Sequence, residues 1–181
     1  MSLVVLDALE GSNEISDRIR EKLLKDKGSV YFRLEDMDIQ HCRSCGVCGF
    51  KSPGKCVAKD ASHEVLKAIA KSPVFIMLTP VRFGGYNSVL KKAVDKFMNL
   101  SLPSYTVKQG HLLHPTRYGS KHMVVIGIYE GSSREQEESF RKLVEHNAFN
   151  LEASCETHIF APAGGAGAVE REIDRLLGEV C

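Results

Sequence analysis

Val74-Phe75-Ile76-Met77-Leu78-Thr79-Pro80-Val81-Arg82-Phe83-Gly84-Gly85-Tyr86 is the stretch that decides the fold. Its first five side chains are all apolar. A strand with one wet face alternates apolar and polar residues, so an unbroken run predicts a strand covered on both faces, as in a parallel sheet. The proline and two glycines that follow are expected to bend the chain and expose backbone amides at the strand's carboxyl end. Phe83 and Tyr86 add flat aromatic surface there. A planar ring system needs that combination, amides for its polar rim and apolar surface for its faces. Composition alone favours reading the same residues as a plain turn into a helix.

Working outward, four further strands are expected at Leu3-Val4-Val5-Leu6, 29–34, 123–129 and Thr157-His158-Ile159-Phe160. Between them, apolar residues recur at helical spacing. The stripes are Ile15, Ile19, Leu23 and Leu24; Val65, Leu66, Ile69 and Ala70, closed by Pro73; and Val89, Leu90, Ala93, Val94, Phe97 and Met98. Phe140, Leu143 and Val144 mark a helix capped by Ser132 or Ser133, with an acidic first turn. Gly164-Gly165-Ala166-Gly167 opens a last helix carrying Ile173, Leu176 and Leu177. This alternation predicts an α/β fold, a doubly wound five-stranded parallel sheet with helices on both faces. Ligands of such sheets sit at the carboxyl ends of the strands, where strand order reverses. The loops to watch are therefore 7–13, 80–87 and 129–133. The polar segment 101–120 is too long for a simple connector and is read as a lid or an interface arm. Within it, His111 and His114 would chelate a metal only if helical.

The chain has 181 residues, the length of one domain at ~150 residues per domain. A single domain over 1–181 is expected, with 40–60 as a cysteine-rich insertion. Lys+Arg 24 against Asp+Glu 23 leaves a net charge of +1, so no global basic field favours nucleic acid or an anionic membrane. No apolar run is long enough to span a bilayer, and the opening residues lack the basic region of a signal peptide. A cytoplasmic protein is expected, in which clustered thiols stay reduced.

Four of the six cysteines fall in Cys42-Arg-Ser-Cys45-Gly-Val-Cys48 and Cys56. Zinc ribbons separate two Cys-x-x-Cys knuckles by ~15–20 residues, and no such spacer exists here. Three cysteines each three apart, with a fourth nearby, suit the corners of a [4Fe–4S] cluster. Gly46, Gly49 and Gly54 would let the backbone wrap it, and Lys51 and Lys55 would offset its charge. Zinc, or thiols holding no metal, remain alternatives on spacing alone.

Taken together, the cysteine run 42–56, Thr79-Pro80-Val81-Arg82-Phe83-Gly84 and Leu90-Lys91-Lys92-Ala93-Val94-Asp95-Lys96 resemble the flavodoxin-like NAD(P)H-dependent FMN reductases. The match is most similar to their iron–sulfur flavoprotein branch and covers roughly residues 39–98. The resemblance implies a flavodoxin-like strand order 2-1-3-4-5 with FMN at the carboxyl edge. The candidate flavin contacts are then Gly11, Ser12, Asn13, Pro80, Val81, Arg82, Phe83, Gly84, Tyr129 and Gly131. It further implies a homodimer or homotetramer, an NAD(P)H or ferredoxin-like electron donor, and a cluster on Cys42, Cys45, Cys48 and Cys56. A flavin takes up a hydride and releases electrons singly, so the pair would couple two-electron and one-electron chemistry.

The sequence departs from the family at three places. The first loop usually carries Gly-Ser-Pro-Arg and then Gly-Asn-Ser/Thr around the phosphate. Here it reads Asp7-Ala8-Leu9-Glu10-Gly11-Ser12-Asn13-Glu14, without an arginine and with three acids. Arg82 stands where an aromatic residue is usual, and Asp60-Ala61-Ser62 replaces Asp-Asp-Met. The acidic loop motivates an alternative reading, a paralogue that has lost FMN and serves as a binding or partner subunit.

Overall fold

The computed structural model describes residues 3–23, 28–162 and 165–180. Leu24, Gly164 and Cys181, and the side chains of Leu176 and Leu177, lie outside the described residues. The strands are β1 (Leu3–Asp7), β2 (Val30–Arg33), β3 (Val74–Arg82), β4 (Gly85–Tyr86), β5 (Thr106–Lys108), β6 (His111–Leu113), β7 (His122–Ile128) and β8 (Ser154–Phe160). The helices are α1 (Glu14–Leu23), α2 (Val47–Phe50), α3 (Ser62–Lys71), α4 (Ser88–Val94), α5 (Arg134–Asn150) and α6 (Gly165–Val180).

Five strands pair in parallel in the order β2-β1-β3-β7-β8, the doubly wound flavodoxin-like arrangement. Leu6 lies opposite Phe32 on one side and Met77 on the other. The unbroken apolar runs follow from burial on both faces, since successive side chains of a strand point to opposite faces. Val4, Leu6, Phe75, Met77, Met123 and Val125 pack with Ile69 of α3, Leu90 of α4 and Phe140 of α5. Their neighbours Leu3, Val5, Ile76, Leu78, Val124 and Ile126 pack with Ile15 and Ile19 of α1 and Val169 and Ile173 of α6. Gly127 serves the first of these cores, because a Cβ there would come 2.7 Å from Val81 and 2.9 Å from Phe140.

Three details differ from the sequence expectations. β3 does not bend at Pro80 but continues to Arg82. β1 is paired only as far as Leu78, so Pro80 sits where β3 has a neighbour on one side, a position that tolerates proline. The turn comes at Phe83 and Gly84, both at positive φ (51° and 72°), as a two-residue hairpin into β4 requires. The helix expected over 89–98 ends at Val94 and is followed by a 3-10 turn, Phe97–Leu100. The segment 101–120 holds the β5–β6 hairpin, turning at Gln109 and Gly110, rather than an irregular loop. His111 therefore lies in a strand, where i and i+3 face opposite ways; its ring meets Phe149 while that of His114 meets Tyr105.

Candidate functional site

The strand order reverses between β1 and β3, and the α1 N-terminus opens beside that point. A cavity of about 350 Å³ lies there. Four of the sequence candidates line it: Ser12, Asn13, Pro80 and Arg82. Asn13 Oδ1 accepts from the Ile15 amide at 3.0 Å and so starts α1. Three carboxylates share the lining, those of Glu10, Glu14 and Glu130.

Local bonding decides which acids of the first loop face the cavity. Asp7 is fully buried and turned inward, accepting from the Leu9 amide at 2.8 Å and from the Tyr31 hydroxyl. Burial pushes its carboxyl above the usual range, against the pull of its hydrogen bonds. Glu10 faces the cavity instead and is held by two side chains. Its Oε1 accepts from Asn87 Nδ2 at 3.2 Å, and its Oε2 pairs with Arg82 at 3.5 Å. Gly11 is at φ 65° and donates its amide to the Glu35 carboxylate at 3.0 Å. Arg33, at the end of β2, bonds both the Gly11 carbonyl and Glu35. The loop lacks an arginine of its own, but two arginines reach it from neighbouring strands.

Asn87 was not among the sequence candidates, although asparagine directly before a helical stripe is a capping signal. It is 3% exposed and donates to the Ala8 carbonyl at 2.8 Å, while its Oδ1 accepts from the Leu90 amide at 3.0 Å. One residue thus ties the first loop to the start of α4.

The remaining candidates have other surroundings. Val81 is buried in the core. Gly84 lies against α5, where a Cβ would come 2.9 Å from Ser139. Phe83 is 97% exposed beside it. Tyr86 is turned inward, accepting from Asn147 at 3.1 Å and standing edge-on to Phe140. Tyr129 is also buried, and its hydroxyl accepts from the Ser133 amide at 3.2 Å. Gly131 passes so close to that ring that a Cβ would meet Tyr129 Oη at 2.5 Å. Of loop 129–133, only Glu130 reaches the cavity lining.

The four clustered cysteines converge elsewhere. Cys42, Cys45, Cys48 and Cys56 line one cavity of about 240 Å³ against Lys96 and Asn99, beyond the far end of α4. Ser44 and Gly46 take positive φ (51° and 69°) on either side of Cys45, and Gly46 leads into the single turn α2 that carries Cys48. Burial pushes the Cys48 thiol up, and the charges of Cys56, Cys42 and Cys45 raise it further. All four are free thiols. Four thiols lining one cavity are the donor set of a [4Fe–4S] cluster or a tetrahedral zinc, although no three of their sulfurs lie within 4.8 Å of one another. The loop is closed at its base by Asp60, which accepts from the Gln40 and Ser62 amides at 2.9 and 3.1 Å.

The profile of the NADPH-dependent FMN reductase family matches residues 11–155. The chain belongs to that family. Among curated proteins, an iron-sulfur flavoprotein of Archaeoglobus fulgidus is 25% identical over 75 residues, 41% of this chain. That match spans only 36% of the relative's length. Among solved structures, an FMN-dependent NADH-azoreductase of Bacillus anthracis in complex with FMN superposes with a TM-score of 0.66 at 13% identity, covering 99% of each chain. An NAD(P)H:quinone oxidoreductase of Methanothermobacter marburgensis gives 0.67 at 13% identity, covering 94% of this chain and 96% of its own. At these identities the structural likeness establishes the flavodoxin-like fold. Membership in a flavin reductase family does not favour the reading as a paralogue without FMN. No helix among the described residues is long and apolar enough to cross a membrane.

Proposed function

We propose that this chain is an FMN-dependent oxidoreductase that draws electrons from NAD(P)H or a ferredoxin-like donor and holds a [4Fe–4S] cluster on its four clustered cysteines. The observation that carries the flavin reading is the meeting of Ser12, Asn13, Pro80 and Arg82 around one cavity at the point where strand order reverses. Bound FMN would supply hydride acceptance and single-electron release. The chain's own part is to hold and orient it. The Ser12 hydroxyl and the first amides of α1 suit a phosphate at a helix N-terminus. Arg82 is half-exposed and, among the described residues, pairs with Glu10 alone, so its guanidinium can turn to that phosphate. The backbone at Pro80 and Arg82 would face the polar rim of the ring.

Glu10, Glu14 and Glu130 oppose a phosphate in the same cavity, and they set the affinity rather than the place of binding. The quartet Cys42, Cys45, Cys48 and Cys56 supplies the thiolates a cluster requires, and reduced cytoplasmic thiols would keep it available. A homodimer or homotetramer is part of this reading, with the β5–β6 hairpin as its contact arm. That arm exposes Val107 and Leu112 to solvent, 70% and 67% respectively. Fluorescence titration of the purified chain with FMN tests the flavin assignment. Saturable binding at one FMN per chain supports it, and no binding at millimolar FMN contradicts it.

A further inference from the structure

A groove of about 780 Å³ runs between the cysteine loop and α3, within the ~300–1,000 Å³ range of small-molecule sites. Its lining includes Lys55 and Lys59 from the loop and Lys67 and Lys71 from α3, and no acid. None of the four lysines is in an ion pair among the described residues. Lys67 and Lys71 are one helical turn apart and so share a face. The groove's apolar surface comes from Leu66 and Leu100, both buried, and Tyr118 stands 45% exposed at its wall.

The groove adjoins the cysteine cavity, and Cys56, Val57, Lys59 and Asn99 line both. Asn99 is 3% exposed, and its Nδ2 donates to the Lys96 carbonyl at 2.6 Å. Its Oδ1 is buried without a hydrogen-bond partner.

We infer that this groove is a binding site for a nucleotide, separate from the carboxyl-edge cavity. The lysines match its phosphates, and Tyr118 and the two leucines match a flat base. The site does not depend on the flavin reading, because its lining shares no residue with the carboxyl-edge cavity.

Calorimetric titration with ADP tests the inference, with inorganic phosphate as the reference ligand. The wild-type chain is expected to bind one ADP, more tightly than phosphate. Lys67→Gln/Lys71→Gln is expected to weaken ADP at least about tenfold, since two charge-assisted bonds to its phosphates are lost. Both lysines are exposed, so the variant keeps the fold. Tyr118→Ala should weaken ADP and leave phosphate unchanged. Saturating FMN should not displace ADP. Absent saturable ADP binding, or ADP binding unchanged in the double lysine variant, the inference is overturned. Displacement of ADP by FMN overturns the separate site.

Discussion

Lys96 Nζ donates to Asp60 Oδ2 in an ion pair whose two side chains are both fully screened from solvent. Asp60 also receives the Gln40 amide, the Ser62 amide and the Ser62 hydroxyl, the last at 2.5 Å. The carboxylate therefore joins both ends of the cysteine loop to Lys96, two residues past α4. Lys96 in turn lines the cysteine cavity, placing a fixed cation beside the thiols.

Breaking this pair from one side leaves the other charge buried. Lys96→Met and Asp60→Leu should each cost ~3–5 kcal/mol by urea unfolding, while the double variant should cost much less than their sum. Strict additivity would show that the two residues do not act as a pair.

Acid should expose the same contact. Burial pushes the Asp60 carboxyl up, but the hydrogen bonds from Lys96, Ser62 and the Gln40 amide outweigh it and hold it at about 2, below its ordinary 3.8. A carboxyl depressed in the folded state stabilises fully above 3.8 and loses that contribution as pH falls toward 2. The contribution is about 2 kcal/mol. Asp60→Asn should abolish that part of the acid dependence, seen by comparing urea midpoints of the two proteins across this window. Parallel profiles would contradict the assignment.

Much of this frame was legible in the sequence. Continuous runs such as 74–78 and 123–126 can be satisfied only by burial on both faces, so the parallel sheet followed from them. What escaped was set by contacts distant in sequence. Asp60 and Lys96 are 36 positions apart, and Arg33 reaches Gly11 across 22. Whether Asp7 or Glu10 would face the cavity depended on Tyr31 and Asn87, which no local pattern links to the loop. The β5–β6 hairpin was hidden because each strand is three residues long, too short for alternation to register. Tyr86 reads as flat aromatic surface and Tyr129 as a flavin contact; in the fold both side chains are buried, and each hydroxyl finds its bond inside.

Gly127 has no room for a side chain. Gly127→Ala should destabilise the fold by ~1–3 kcal/mol in thermal or urea unfolding, because the new methyl meets Val81 and Phe140. Combining it with Val81→Ala should recover part of the loss. An unchanged midpoint for the single variant would mean that the β7 packing is looser than described.

The two residues that meet over the carboxyl-edge cavity should act on FMN in opposite directions. Arg82→Gln removes the cation and should weaken FMN binding about tenfold, whereas Glu10→Gln removes a repelling charge and should tighten it. Their ion pair is half-exposed, so neither change should alter stability by more than about 0.5 kcal/mol. Equal FMN affinity in all three proteins would remove Arg82 from the site.

Replacing Cys42, Cys45, Cys48 and Cys56 together by serine should eliminate bound iron and leave FMN binding intact, because no cysteine lines the carboxyl-edge cavity. Iron retained in the quadruple variant would show that its ligands lie elsewhere.

The most direct measurement is an anaerobic purification with flavin, iron and zinc quantified per chain beside a visible spectrum. One FMN and about four irons per chain are predicted, as a [4Fe–4S] centre requires. A chain carrying neither flavin nor iron, and taking up neither on reconstitution, would contradict the account.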